Sequence, residues 1–332
     1  MLRGGGGEAA SAWSVSARLQ GPSGPMDVVT GFATEGSAGR DRRQVSIDGQ
    51  PTRGRSALAR AVNLVWLTPE MDRLFAGGPS GRRRFLDRLV WGVDPAHASR
   101  VSAYERAMQQ RSALLRQEHA DAAWLGALEE TMATHGIAVA AARRQATAQL
   151  TDLARAPSDG FPGALISTRG SLEDWLDEGP ALAAEELMRS ALAAARRKDA
   201  ESGGGAFGPH LSDMVVLHGE SGRPAPECSA GEQKMLLIAI VLAGARLQKR
   251  ERGTSPLMLL DDVVAHLDAR HRHAGFQAVA DLAAQAWYTG TDRGPFQPLA
   301  DRAQFVALED AAQGWATDQE TAGNVERRSS DE

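Results

Sequence analysis

Polar and apolar residues alternate from Trp13 to Leu19 (WSVSARL), the two-residue period of a half-buried strand. Gly21, Pro22, Gly24 and Pro25 supply a turn, and Met26 to Thr30 reads as the returning strand. Gln44 to Ile47, closed by Asp48-Gly49, repeats the pattern, so the chain opens with a predicted antiparallel β region. Asn63 to Leu67 is an apolar run ended by Thr68-Pro69, the form of a buried strand entering a loop. From Ser80 to about Arg197 the period lengthens, with apolar residues every three or four positions. This predicts an all-α unit: one helix from Ala96 to Glu118, a second from Ala122 to Leu150, and a last one from Ala181 to Lys198. The first two part near Ala120-Asp121 and could fold back on each other, and Pro157 to Pro162 breaks the pattern. After the glycine-rich Ser202 to Gly208 the strands return, at Met214 to Leu217, Leu257 to Leu260 and Trp287 to Thr289. Helices are expected between them, from Ser229 to Gln248 (capped by Ser229) and after Asp268. Such alternation predicts an α/β sheet.

Bulk properties narrow the class. A chain of 332 residues, 42% hydrophobic, suits about two folding units. Its net charge of -5 argues against constitutive coating of nucleic acid, while a local basic patch remains compatible with DNA contact. The single cysteine, Cys228, excludes an intramolecular disulfide framework and fits a reducing cytosol. The longest apolar run, Met235 to Ala245, is about half of what a membrane-spanning helix needs. The leader MLRGGGGEAASAW has no apolar core for secretion, so a soluble cytoplasmic protein is expected. The tail after Asp318 is polar and is expected to be disordered.

The densest chemistry lies at Leu257-Met258-Leu259-Leu260-Asp261-Asp262. Apolar residues ending in two carboxylates describe a buried parallel strand with acids at its carboxyl edge, where open α/β sheets place ligands. In P-loop nucleoside triphosphatases the first such acid holds magnesium and the next polarises the attacking water. A strand that merely ends in an acidic turn would give the same pattern. Upstream, Cys228-Ser229-Ala230-Gly231-Glu232-Gln233-Lys234 opens an apolar helix. Its hydroxyl, free N–H groups and positive dipole end are the parts that grip a phosphate, and Ser229 with Glu232 also forms an S-x-x-E capping box.

Taken together, SAGEQK followed by LLDDVVAHLD resembles the signature motif, Walker B and D-loop of ABC-type ATPase heads in the SMC and Rad50 group. More narrowly, the chain resembles the RecF family. Trp66 to Phe75 (WLTPEMDRLF), Gly78-Pro79-Ser80 and Arg82 to Asp87 match that family's segment entering its helical arm. Gly208-Pro209-His210 with Ser212-Asp213 matches its GPHR-[SD]-D motif, and Thr289-Gly290-Thr291-Asp292 its final strand and switch. These stand in family order from about residue 60 to residue 296.

The resemblance implies an ATPase head with an inserted all-α arm. Residues 1–79 would form the N-terminal part of the head, 80–200 the arm, 201–317 the C-terminal part and 318–332 the tail. It implies that Asp261 holds Mg2+, that Asp262 orients water, and that Ser229, Gly231 and Glu232 reach ATP bound by a partner subunit. Asp268 would cross the interface of an ATP-dependent homodimer. DNA, single-stranded or gapped duplex, and RecO- and RecR-like proteins are the implied partners in recombinational repair. Two departures stand out. The family's phosphate loop, G-x-x-x-x-G-K-[ST], is absent; Gly4 to Gly7 reads as a leader, and the chain would begin after that loop. The family's arginine after Gly-Pro-His is Leu211. Arg82, Arg83 and Arg84 form the foremost basic cluster for DNA phosphates, against the alternative of a solvated helix face. Trp124 and Trp175 are expected in the core, and His97, His135 and His210 lack metal-ligand spacing.

Overall fold

A computed structural model of the chain describes residues 12–21, 24–33, 42–52, 62–117, 120–155, 157, 160–264, 267–282 and 284–307. The glycine run at 4–7, the end of the predicted helix at 118, His266 and the tail after 318 lie outside the described residues.

The alternating N-terminal sequence forms a four-stranded antiparallel sheet of β1 (Ala12–Gly21), β2 (Gly24–Ala33), β3 (Arg42–Ile47) and β4 (Gln50–Pro51), in chain order. Asp48 and Gly49 join β3 to β4 at φ of 50° and 73°. Positive φ at both central residues is what an Asp-Gly hairpin turn requires. A second, parallel sheet has the order β5-β8-β9, from Leu64–Leu67, Leu257–Leu260 and Ala286–Tyr288. Leu67, Met258 and Leu260 point to its covered face, lining an apolar cleft with Ile238, Val241 and Phe276. On the opposite face Trp66, Leu259 and Trp287 stand in one cross-strand row. That row is open at Leu259 and Trp287, which are 37% and 58% exposed.

Between β5 and β8 lie α1 (Pro79–Val93), α2 (His97–Leu115), α3 (Ala122–Ala154), β6 (Ala164–Arg169), α4 (Ser171–Glu178), α5 (Ala181–Ala194), α6 (Arg196–Ser202), β7 (Asp213–His218) and α7 (Ala230–Arg252). α8 (Ala269–Asp281) follows β8. The stretch expected to be wholly helical thus contains a strand, β6, paired antiparallel with β7. Thr151 of α3 exchanges two hydrogen bonds with the backbone of Ile166, at 2.8 and 2.9 Å, which fixes β6 against that helix. The helix expected from Ala181 to Lys198 is two, because the chain turns at Ala195.

Caps explain where the long helices begin. The Asp121 carboxylate accepts the N–H groups of Ala123 and Trp124 at the start of α3, at 2.8 and 3.2 Å. α7 ends at Gly253, φ 72°, with Lys249, Arg250 and Arg252 in its last turn, as the helix dipole favours. Its run from Met235 to Ala245 is buried all round and so forms the centre of one core. No helix among the described residues is long and apolar enough to cross a membrane. α3 enters both cores. Ala146, Leu150 and Ala154 pack with α1, α7 and β5 to β8, whereas Leu125 to Ala140 pack with α2 and α5. The described residues from Asp292 to Ala307 belong to a separate unit with a 3-10 turn at Gly294–Leu299, in which the Arg293 guanidinium lies 4.3 Å above the Phe305 ring.

Candidate functional site

The acidic pair sits at the carboxyl edge of the parallel sheet. The Asp261 N–H donates to the Leu67 carbonyl at 2.9 Å, which ties the end of β8 to the end of β5. On the other side the Thr289 N–H donates to the Leu260 carbonyl at 3.1 Å. The Thr289 hydroxyl donates to Asp261 Oδ1 and accepts the Asp262 N–H, the latter at 3.2 Å. One side chain after the end of β9 therefore holds the Asp261 carboxylate and the Asp262 backbone. Asp262 adopts a φ of 51°, a left-handed conformation that aspartate tolerates better than most residues. Sequence reading named Thr289 within a family run but missed this bridging role, since a threonine after a short strand carries no signal of its own.

Magnesium in nucleotide sites commonly takes one or two carboxylates and leaves the remaining positions to water and phosphate. The exposed Asp261 carboxylate beside the Thr289 hydroxyl fits that donor set. Among the described residues no cluster of three His, Cys, Asp or Glu side chains forms an all-protein metal cage.

The signature segment begins α7. The Ser229 Oγ accepts the Glu232 N–H at 3.3 Å, and Glu232 Oε2 accepts the Ser229 N–H at 2.7 Å, closing a capping box. That backbone N–H, with the Ser229 hydroxyl and the Arg223 guanidinium, holds the Glu232 carboxyl below the usual carboxylate range. Arg223 reaches Glu232 at 2.5 Å. Around Gly231 a methyl group would meet nothing within 4 Å, so the first turn is bare toward solvent. Lys234 is buried and pairs with Asp72 at 3.1 Å, linking the signature helix to the segment after β5. Asp268 caps α8, accepting the His271 N–H and pairing with His271 Nδ1, each at 2.8 Å. These bonds, the backbone one foremost, hold its carboxyl below the usual range. No hydrogen bond among the described residues joins Asp261 or Asp262 to Ser229, Gly231, Glu232 or Asp268.

The arginine cluster is divided in its surroundings. Arg82 makes a two-bond pair with Asp213, 2.8 Å on both arms, and donates to the Gly77 carbonyl at 2.6 Å. Arg83 donates to the Ser212 carbonyl at 2.8 Å, and burial lowers its pKa, with Arg143 adding to the effect. Arg84 is the exposed member. Two of the three thus anchor α1 to the 208–213 segment.

That segment is the second focus of polar contacts. Gly208 has a φ of 147°, and a methyl group there would lie 1.9 Å from the Tyr104 hydroxyl. The Tyr104 hydroxyl donates to His210 Nδ1 at 2.6 Å, and His210 Nε2 donates to the Gly205 carbonyl at 3.2 Å. Arg143 donates to the Pro209 carbonyl at 2.6 Å and makes a two-bond pair with Asp87 at 2.8 Å on both arms. His97 Nε2 bonds the same carboxylate at 2.8 Å. Burial raises the Asp87 pKa, but the bonds from His97 and Arg143 outweigh it and hold the carboxyl below its ordinary range. Leu211, where the family pattern has arginine, is 54% exposed. Trp175 stacks on Phe207 at 5.7 Å between centroids. Trp124, expected in the core, is instead 54% exposed, because it sits in the first turn of α3 beyond the packed stretch. Cys228 is buried, and its burial pushes the thiol pKa up.

The chain matches no family profile. It is 43% identical over 305 residues to the DNA replication and repair protein RecF of Mesorhizobium japonicum, covering 91% of this chain and 80% of that one. The protein of the same name from Rhizobium etli is 42% identical over 304 residues, with 91% and 80% covered. Among solved structures, that of the recombination mediator protein RecF with ATP in the RecFOR pathway aligns with a TM-score of 0.73 at 18% identity, covering 86% of this chain and 76% of that one. The fold is that of an α/β ATPase head of the ABC type. By its sequence the chain belongs to the RecF family.

Proposed function

We propose that the chain works as a RecF-type, ATP-gated DNA-binding protein of recombinational repair in the cytoplasm. The observation that carries this reading is the acid pair at the end of β8, held by Thr289 from the neighbouring strand, in a chain of this family. Asp261 would hold the magnesium ion, which supplies charge neutralisation at the phosphates. Asp262 orients the attacking water and accepts its proton. Ser229, Gly231 and Glu232 present the positive end of α7 to the γ-phosphate on a second copy, and Asp268 lies at the same junction. ATP thus closes a homodimer on single-stranded or gapped duplex DNA, and hydrolysis opens it. RecO- and RecR-like proteins are the partners in recombinase loading, and the arginine left exposed on α1, Arg84, contributes phosphate affinity.

A second reading has its own observation. No G-x-x-x-x-G-K-[ST] run occurs within the 332 residues, so none of them wraps the phosphates in the usual way. In this reading the chain is a scaffold that binds DNA or protein without ATP. Equilibrium binding of ATP with magnesium, alongside DNA affinity with and without the nucleotide, separates the two. ATP binding that tightens the grip on DNA supports the gated ATPase; DNA binding indifferent to ATP supports the scaffold.

A further inference from the structure

The chain has a net charge of -5, yet one open cleft of about 510 Å³ is lined by no acidic side chain among the described residues. It lies between the last two turns of α2 and the segment after α6. Gln109, Ser112 and Arg116 form one wall, and Gly204, His210 and Leu211 belong to the other. We propose that this cleft is a phosphodiester-binding groove for a single nucleic-acid strand, a site that rests on reading the chain as a DNA-binding repair protein.

Positions 109, 112 and 116 are three and four apart, so their side chains share one helical stripe. The stripe carries an amide, a hydroxyl and a guanidinium, all able to donate to phosphate oxygens. Arg116 is exposed and makes no ion pair among the described residues. It also caps the carboxyl end of α2, where the dipole favours a cation. The dipole accounts for a cation at that position but not for a lining that lacks acids among the described residues. In contrast, Arg82 and Arg83 are already committed to Asp213 and the Ser212 carbonyl.

Part of the opposite wall, Gly203 to Gly205, is bare backbone. A methyl group on Gly204 would meet only Ser202 Oγ, at 3.9 Å, so a side chain here has room to grow into the cleft. His210 holds that wall through its bond to the Gly205 carbonyl. Exposed Leu211 and the thioether of Met108 add apolar surface beside the donors. Donors for the backbone next to apolar surface for sugar and base suit an unpaired strand, whose bases are free to turn inward. The volume falls in the range of sites that hold ligands of nucleotide size.

The test uses the full chain, a fluorescein-labelled single strand and the corresponding duplex, with anisotropy read across a salt series. Arg116→Glu and Gly204→Phe are compared with Arg155→Glu, a charge reversal on an exposed arginine outside the cleft. Thermal melts verify that each variant folds. Both cleft variants are expected to weaken single-strand binding about tenfold, a size typical of one lost contact worth roughly 1.4 kcal/mol. Arg116→Glu should also lower the salt slope by about one, and Arg155→Glu should change neither. Single-strand binding by the wild type that both cleft variants leave intact would overturn the cleft and leave the proposed function standing. No DNA binding by the wild type would overturn both. An equal loss on duplex would overturn the assignment to a single strand.

Discussion

Asp262, the residue proposed to orient water, adopts a conformation that disfavours side chains, at φ 51°. Glycine pays no such penalty, so Asp262→Gly should stabilise the fold by up to about 1 kcal/mol, read as a higher urea midpoint at unchanged slope. A lower midpoint would mean that the carboxylate contributes more to stability than its backbone costs. His210 sets a pH dependence. Burial lowers its imidazole pKa, only partly opposed by its bond to the Gly205 carbonyl. The unfolded chain therefore takes up the proton first, and stability should fall as pH drops below the ordinary imidazole value of about 6.5. His210→Gln should flatten that slope in melts taken between neutral and mildly acidic pH; an unchanged slope would assign it to other groups. At this scale the sequence was legible where a local pattern fixes placement: the apolar run before them puts Asp261 and Asp262 at the carboxyl edge of a parallel strand. It was silent where the task depends on what arrives from afar. Nothing near Thr289 in sequence indicates that it bridges two acids, and Arg82 looks basic and available until Asp213 is placed beside it.

Helices and strands that terminate in strong local signals were legible for the same reason. α7 and β8 follow from the Ser229 cap and uninterrupted apolar runs, although α7 continues past the expected Gln248 to Arg252, where Gly253 ends it. β6 was not, because its six residues gain their identity from pairing with β7, well downstream. The α5–α6 break was hidden too, since alanine at the junction is a good helix former. α6 turns so that Asp199 can meet Arg111, which donates to Glu129 at 2.9 Å, to Asp199 at 2.6 Å and to the Leu192 carbonyl at 2.7 Å. Arg196 closes the group on Glu129, leaving two cations matched to two carboxylates. The Arg111, Glu129 and Asp199 side chains are each 1% exposed. Arg111→Met would strand a buried carboxylate and should cost roughly 3–5 kcal/mol in chemical denaturation. A loss well under that would show that water enters the group when the guanidinium leaves.

At the scale of the molecule, the described residues leave one face of the parallel sheet open at Leu259 and Trp287. Trp66 is roofed by the Arg88 guanidinium at 4.3 Å, whose burial pushes its pKa down to about 10. Among the described residues no cation roofs Leu259 or Trp287, which are exposed. Contiguous apolar surface of this kind drives association. The double change Leu259→Thr with Trp287→Thr should therefore raise the concentration at which the isolated chain stays monodisperse in light scattering. Unchanged scattering would place the adhesive surface elsewhere. The opposite property belongs to α3, 33 residues long and packed at one end with the parallel sheet and α7, at the other with α2 and α5. A straight helix of that length is a rod of about 50 Å. Such a rod transmits rotation with gain: each degree of tilt at its sheet end carries the far end by roughly 0.9 Å. A tilt of a few degrees would carry the helical tip by about 3 Å, and the bonds of Arg143 to Asp87 and to the Pro209 carbonyl tie this rod to α1 and to the 208–213 segment.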